Sequence, residues 1–289
     1  MNPVSPLRYP GGKQVLSKLL AQLIQANGVE GGTYAEPYAG GAGAALALLY
    51  SEHVGRLALN DADKCIYSMW RSILEKTEEF VKMVVDTPLT IKEWKRQKAI
   101  YKAANSHDQL ELGFSVFYLN RTNRSGIIKN AGPIGGFDQA GRWKIDARYN
   151  RQELVKRIER IATYKSRISF QNLDALDFIK RSCTAKRLFV YLDPPYYVKG
   201  RELYLNHYDS RDHRLVATFM KEKHPFFWVM SYDSTGEIHK LYREFRRVSF
   251  CLSYSASLRR NGQEVLILGK GLQLPRAWRR MLPAAALKA

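Results

Sequence analysis

The run LFVYL at residues 188–192 is apolar at every position and is stopped by Asp193-Pro194-Pro195-Tyr196. A strand with no polar face is buried on both sides, the pattern of a parallel sheet covered by helices. Neither proline has an N–H for a ladder, and each restricts the residue before it to extended backbone. The Asp193 carboxylate and the Pro194 carbonyl then stand together at the strand's C-terminal edge as two acceptors, which suits a planar –NH2 group. Tyr196 adds a face on which a base can stack, worth about 1–3 kcal/mol. The plainer alternative for the tetrad is a Pro-Pro turn with an aspartate cap.

The rest of the chain supplies the sheet that such a strand needs. Residues 14–26 carry apolar side chains at helical spacing. TYAEPYAGGAGAALALLY reads as a short strand, a glycine-rich turn and a helix, and residues 54–61 as a strand with Asn60 and Asp61 at its tip. Strand, glycine loop, helix and strand tipped by an acid make the first half of a nucleotide-binding α/β unit. The rhythm resumes with RISFQNLDALDFIKR, a strand then a helix, with HPFFWVMSYDS, and with two strands around an Arg-Arg-Asn-Gly turn at residues 259–262. Between these halves, amphipathic helical stretches flank a loop-rich segment dense in Gly, Asn, Arg and aromatics. The expected organisation is a discontinuous sheet domain (1–64 and 171–275), an inserted, mainly helical unit (65–170) and a basic tail (276–289).

Charge narrows the partner. Of 289 residues, 46 are Lys or Arg and 27 Asp or Glu, a formal net charge of +19. Within residues 65–170, 20 basic residues face 11 acidic ones, a net +9. A basic, aromatic-rich insertion with irregular backbone suits nucleic acid ahead of a membrane surface. Cys65, Cys183 and Cys251 are scattered with no CxxC pair, and no histidines stand at ligand spacing, so neither a disulfide scaffold nor a metal site is expected. No apolar run approaches the ~20 residues of a membrane span. The opening has no apolar signal core, so a cytoplasmic protein is expected.

The glycine loop, Glu36-Pro37-Tyr38-Ala39-Gly40-Gly41-Ala42-Gly43, lets backbone approach a ligand closely. It departs from the dinucleotide fingerprint because Leu46 stands at the third glycine, which disfavours an oxidoreductase. Asp61, about 20 residues past the loop, can accept from ribose hydroxyls. Its neighbour Asp63 competes for that role or caps the next helix.

Taken together, PLRYPGGK, EPYAGG, the strand-end Asp61, LNRTNRSG and DPPYY resemble the Dam-type DNA adenine methyltransferases, in that family's order and over nearly the whole chain. The loop departs at Ala42, where the family commonly has glycine. The resemblance implies a Rossmann-like methyltransferase sheet carrying a DNA-recognition insertion, S-adenosylmethionine as cofactor, no metal, and double-stranded DNA as partner. A monomer with no obligate protein partner is the default expectation, the sequence leaving oligomeric state open. The resemblance further implies Tyr9, Lys13, Glu36, Gly40, Asp61 and Asp193 at the cofactor, with Asp174 a candidate for its adenine and Asp177 the local rival. Asp193, Pro194 and Tyr196 would receive the target adenine.

Adenine's exocyclic nitrogen is a poor nucleophile because its lone pair is delocalised. Two acceptors on its hydrogens favour a pyramidal nitrogen aimed at the methyl donor, with no covalent enzyme intermediate. A base inside a duplex cannot reach such a pocket, so it would be flipped out. Asn120, Arg121, Asn123 and Arg124, expected on a loop or hairpin, are side-chain types that read base edges, and could equally grip phosphates. Arg259 and Arg260 suit phosphate or solvent. The rival readings are an RNA-base or protein-amide methyltransferase and a catalytically dead DNA-binding relative.

Overall fold

The computed structural model describes residues 3–8, 13–197, 208–252 and 262–275. Five parallel strands, β1 (Thr33–Glu36), β2 (Arg56–Asn60), β3 (Ile168–Gln171), β4 (Leu188–Leu192) and β5 (Phe227–Asp233), are joined by β6 (Arg246–Leu252) and β7 (Gly262–Leu268). The order is β3-β2-β1-β4-β5-β7-β6, with β7 antiparallel to both neighbours. In the central register Tyr34 pairs with Leu57 on one side and Phe189 on the other. The chain leaves β1 towards β2 and returns from the edge strand β3 to β4 beside β1. That reversal opens a crevice outside the carboxyl ends of β1 and β4, where α/β sheets hold ligands.

Side-chain alternation divides the core into two layers. Phe189, Tyr191, Val229, Leu266 and Leu268 face one apolar cluster, while Leu188, Val190, Trp228, Met230, Val265 and Ile267 face the other. The first layer is closed by α1 (Ser17–Ala26), α2 (Gly43–Tyr50), α3 (Lys64–Glu75), α4 (Thr77–Asp86), α5 (Ile91–Lys102), α6 (Gln109–Thr122) and α7 (Arg151–Thr163). The second is closed by α8 (Ala175–Ser182), α9 (Ser210–Lys221) and α10 (Gly236–Leu241). Leu20, Leu46, Trp70, Phe80, Phe117 and Ile158 belong to one continuous cluster. The helices of the middle third therefore share their core with the sheet.

Local chemistry sets the helix starts. Asp63, Thr90, Asp108, Asn150, Asp174 and Thr235 each accept a backbone N–H from the first turn of the helix they precede, and Asp209 forms a full capping box with Asp212. One expectation is corrected. Residues LNRT, read as part of a loop or hairpin, complete α6, whose helix runs to Thr122. The side chains there are buried, and burial of the helix from Leu112 to Thr122 overrides the turn-forming character of Asn. Among the described residues no helix is long and apolar enough to cross a membrane.

Candidate active site

Asp193 leaves β4 at the crevice with its side chain 24% exposed. Its Oδ1 accepts from Ser231 Oγ on β5 at 2.6 Å and lies 3.5 Å from Lys13 Nζ. With the Ser231 proton committed to a carboxylate, the Tyr191 hydroxyl, 2.7 Å away, is the donor to Ser231 Oγ. This Tyr191–Ser231–Asp193 relay aims the carboxylate from beneath. Burial pushes the Asp193 carboxyl above its ordinary range, opposed by Lys13 and Ser231. The backbone N–H of Tyr197 donates to Asp233 Oδ1 at 2.9 Å, tying the tetrad's exit to the end of β5.

Lys13 begins the short 3-10 turn Lys13–Leu16 and is buried. Its Nζ donates to both oxygens of Glu264 at 2.9 Å and to the Tyr196 hydroxyl at 3.1 Å, and it sits 5.3 Å from the Tyr196 ring centroid. The Tyr196 hydroxyl donates in turn to Glu264 Oε1 at 2.7 Å. Lys13 and the DPPY tetrad thus meet, but through a β7 carboxylate that no motif announced. Its only sequence signal is an acid opening the apolar run EVLIL.

The residues expected at the cofactor stand at the other end of the crevice. Asp61 Oδ2 accepts from Gly40 N–H at 2.9 Å and Oδ1 from Asp63 N–H at 3.0 Å. Asp63 itself caps α3 through Cys65 N–H. Burial, with Asp63 adding to it, pushes the Asp61 carboxyl up to about 7. The loop turns through two left-handed residues, Gly40 at φ 46° and Ala42 at φ 47°. Ala42 tolerates what glycine adopts freely, which accounts for the glycine common at that place. Gly43 opens α2 where a Cβ would stand 3.3 Å from that of Gln14, so the Lys13 turn and the glycine loop pack face to face.

Glu36 is buried at the end of β1, accepts from Tyr34 Oη at 2.9 Å, and is pushed up to about 8 by burial, with Asp193 contributing. Asn60, fully buried, donates to the carbonyls of Pro37 and Leu173 and accepts from Leu173 N–H, so it pins the β1 and β3 exits together. Asp174 is exposed and accepts from Leu176 and Asp177 N–H as the α8 cap, while Asp177 is exposed beside Lys180. Tyr9, Arg259 and Arg260 lie outside the described residues.

A family model of the D12 class N6 adenine-specific DNA methyltransferases matches residues 9–253. The chain belongs to this family. It is accordingly an enzyme that methylates adenine in DNA, on the Rossmann-like sheet described above. No curated protein sequence matches the chain.

In this methyltransferase the four residues expected to touch DNA divide sharply. Asn120, fully buried, accepts from Arg8 N–H at 2.7 Å and donates to the carbonyls of Arg8 and Gly126 at 2.8 Å each. Asn123, equally buried, accepts from the Trp94 indole at 2.6 Å and donates to Ile127 O at 2.7 Å. Arg124 is exposed. Arg121 is 9% exposed, and its Nε has no partner among the described residues. Burial and the nearby Arg8, Arg157 and Arg148 guanidinium groups lower its pKa to about 9.

Proposed function

We propose that this enzyme moves a methyl group from S-adenosylmethionine directly to the N6 amine of an adenine flipped out of duplex DNA. The observation that carries this reading is Asp193, held through Oδ1 by Ser231 and Lys13 at the sheet's switch point beside Tyr196. With Oδ1 so engaged, Oδ2 and the Pro194 carbonyl are the acceptors for the two amine hydrogens. Tyr196 offers its ring to the base while its hydroxyl stays tied to Glu264.

The residues around the glycine loop fit the cofactor's chemistry. Asp61 is a carboxylate at the tip of β2 whose backbone donors leave lone pairs for ribose hydroxyls. Glu36 ends β1, the strand between that tip and Asp193, and Lys13 reaches Asp193 from the turn packed against the glycine loop. Asp174, or Asp177, remains our candidate for the cofactor's adenine, its exposed carboxylate keeping acceptor capacity beyond the cap. Tyr9 completes the set. When bound, the cofactor supplies an electrophilic methyl on a sulfonium; the chain's own residues orient the amine and take up its developing positive charge.

Residues 65–170 are proposed as the target-recognition unit. Arg124 reads bases or grips phosphate, and Arg121, buried among three arginines, suits a phosphate oxygen. Asn120 and Asn123 support this surface from below. Lys64, Lys98, Lys102 and Lys129 line a cleft beside Asp63 that extends the cationic path.

The test is labelled-methyl transfer to unmethylated duplex DNA, with modified bases read by mass spectrometry. The unsubstituted enzyme yields N6-methyladenine, and Asp193→Ala lowers the rate by about 10³-fold or more. Transfer to RNA or to a protein amide in place of DNA sinks the reading.

A further inference from the structure

We infer that Glu264 is a positioning residue of this site: it draws Lys13 away from Asp193 and anchors the Tyr196 hydroxyl, keeping the aspartate open to the target amine. The inference rests on the roles of Asp193 and Tyr196 proposed above.

Glu264 stands on β7 opposite Asp233 of β5 and is 2% exposed. Alternation puts it in the same row as Leu266 and Leu268, which face the apolar layer. A carboxylate in such a row needs partners, and it has two. Lys13 Nζ lies 2.9 Å from each of its oxygens, and Tyr196 Oη 2.7 Å from Oε1. Stability alone explains this poorly, because a buried ion pair is often no better than apolar side chains of the same volume. Geometry suggests what the pair does instead. One lysine lies between two carboxylates, and the contact to Asp193 is the long one, 3.5 Å against 2.9 Å.

Without the Glu264 charge, one cation and one carboxylate remain. Lys13 then closes on Asp193 to a charge-assisted distance of about 2.8 Å. Such a bond takes up lone-pair capacity and negative charge that the amine hydrogens require. The Tyr196 hydroxyl also loses its charged acceptor, which loosens the hold on its ring. Both consequences fall on methyl transfer, and neither touches Asp61, whose partners are Gly40 and Asp63.

The test compares Glu264→Gln and Glu264→Asp with the parent, using unmethylated genomic duplex DNA and labelled S-adenosylmethionine. Single-turnover transfer, at cofactor concentrations that calorimetry shows to be saturating for each protein, and crystal structures of the parent and Glu264→Gln are the readouts. We expect Glu264→Gln to lower the single-turnover rate at saturating cofactor about 10- to 100-fold. Glu264→Asp, which keeps the charge, recovers most of that rate. In the Glu264→Gln crystal, Lys13 Nζ is at hydrogen-bond distance from Asp193. An unchanged rate at saturating cofactor, or equal losses in both variants, overturns the inference. If Glu264→Gln does not fold, the parent crystal decides: Lys13 bonded to Asp193 and not to Glu264 overturns it. If the parent makes no methyladenine, the functional reading fails on its own, while the position of Lys13 in the two crystals still decides the hold of Glu264.

Discussion

Glu36 shows how much this site depends on burial. Its carboxyl is pushed up to about 8 because folding removes it from water, and the Tyr34 hydroxyl offsets only part of that. In the unfolded chain the same group titrates near its ordinary value of about 4.3. An acid whose pKa rises on folding keeps its proton longer in the native state. The native state is therefore penalised progressively as pH climbs from about 4 to about 8, with no further loss above that. Glu36→Gln keeps an acceptor for Tyr34 and has nothing to ionise. We expect it to exceed the parent in stability by on the order of 3 kcal/mol at pH 7, the difference vanishing below about pH 4. Urea unfolding across that range checks this, and a difference independent of pH would mean that the carboxylate is compensated in the fold. Ala42 makes the complementary point about backbone. A β-branched side chain in that buried, left-handed position is doubly unfavourable, and Ala42→Val should cost about 2–4 kcal/mol in the same assay.

At the level of elements, the end of α6 is a junction. Asn120 ties the N-terminal segment at Arg8 to the turn at Gly126, and Asn123 joins Trp94 of α5 to the carbonyl of Ile127. Gly126 sits at φ 74° where a Cβ would stand 2.5 Å from the Arg8 carbonyl, so the two segments are in direct backbone contact. Truncating Asn123 to alanine leaves a buried indole N–H and a carbonyl unsatisfied, at a cost of about 2–4 kcal/mol. Asn120→Ala should likewise lower stability and weaken DNA binding uniformly across sequences. Arg124→Ala should leave stability within about 0.5 kcal/mol while reducing DNA affinity. Thermal melts paired with binding to two unrelated duplexes separate these outcomes. Loss of discrimination between sequences in Asn120→Ala would return that residue to base reading.

Over the whole molecule, the +19 charge and the shared core act together. The helices of residues 65–122 and 151–163 close the same apolar layer as the sheet strands, so the proposed recognition unit shares its core with the sheet. Urea unfolding should accordingly show one transition by both tryptophan fluorescence and circular dichroism. DNA affinity should fall steeply with salt, each neutralised phosphate contributing a slope of about −0.9 in log K against log salt. A flat response would show that the basic face makes few phosphate contacts.

The sequence by itself determined the parts of this enzyme that are local. The all-apolar LFVYL run announces a central parallel strand, two prolines end it at Asp193, and the glycine turn with Asp61 past it marks the other side of the crevice. Strand periodicity, proline geometry and helix capping act over a few residues and are legible without a fold. Only the tertiary structure decided which distant groups meet. Lys13 finds Glu264 across 251 positions, and Ser231 reaches Asp193 because β5 lies beside β4. It also reversed the reading of LNRT: Asn and Arg favour exposed turns by composition, but burial recruited them into α6, where the Asn120 amide is spent on backbone. The reason is common to all three. A buried polar group must be satisfied by whatever the packing brings within about 3 Å, and packing belongs to the folded chain as a whole.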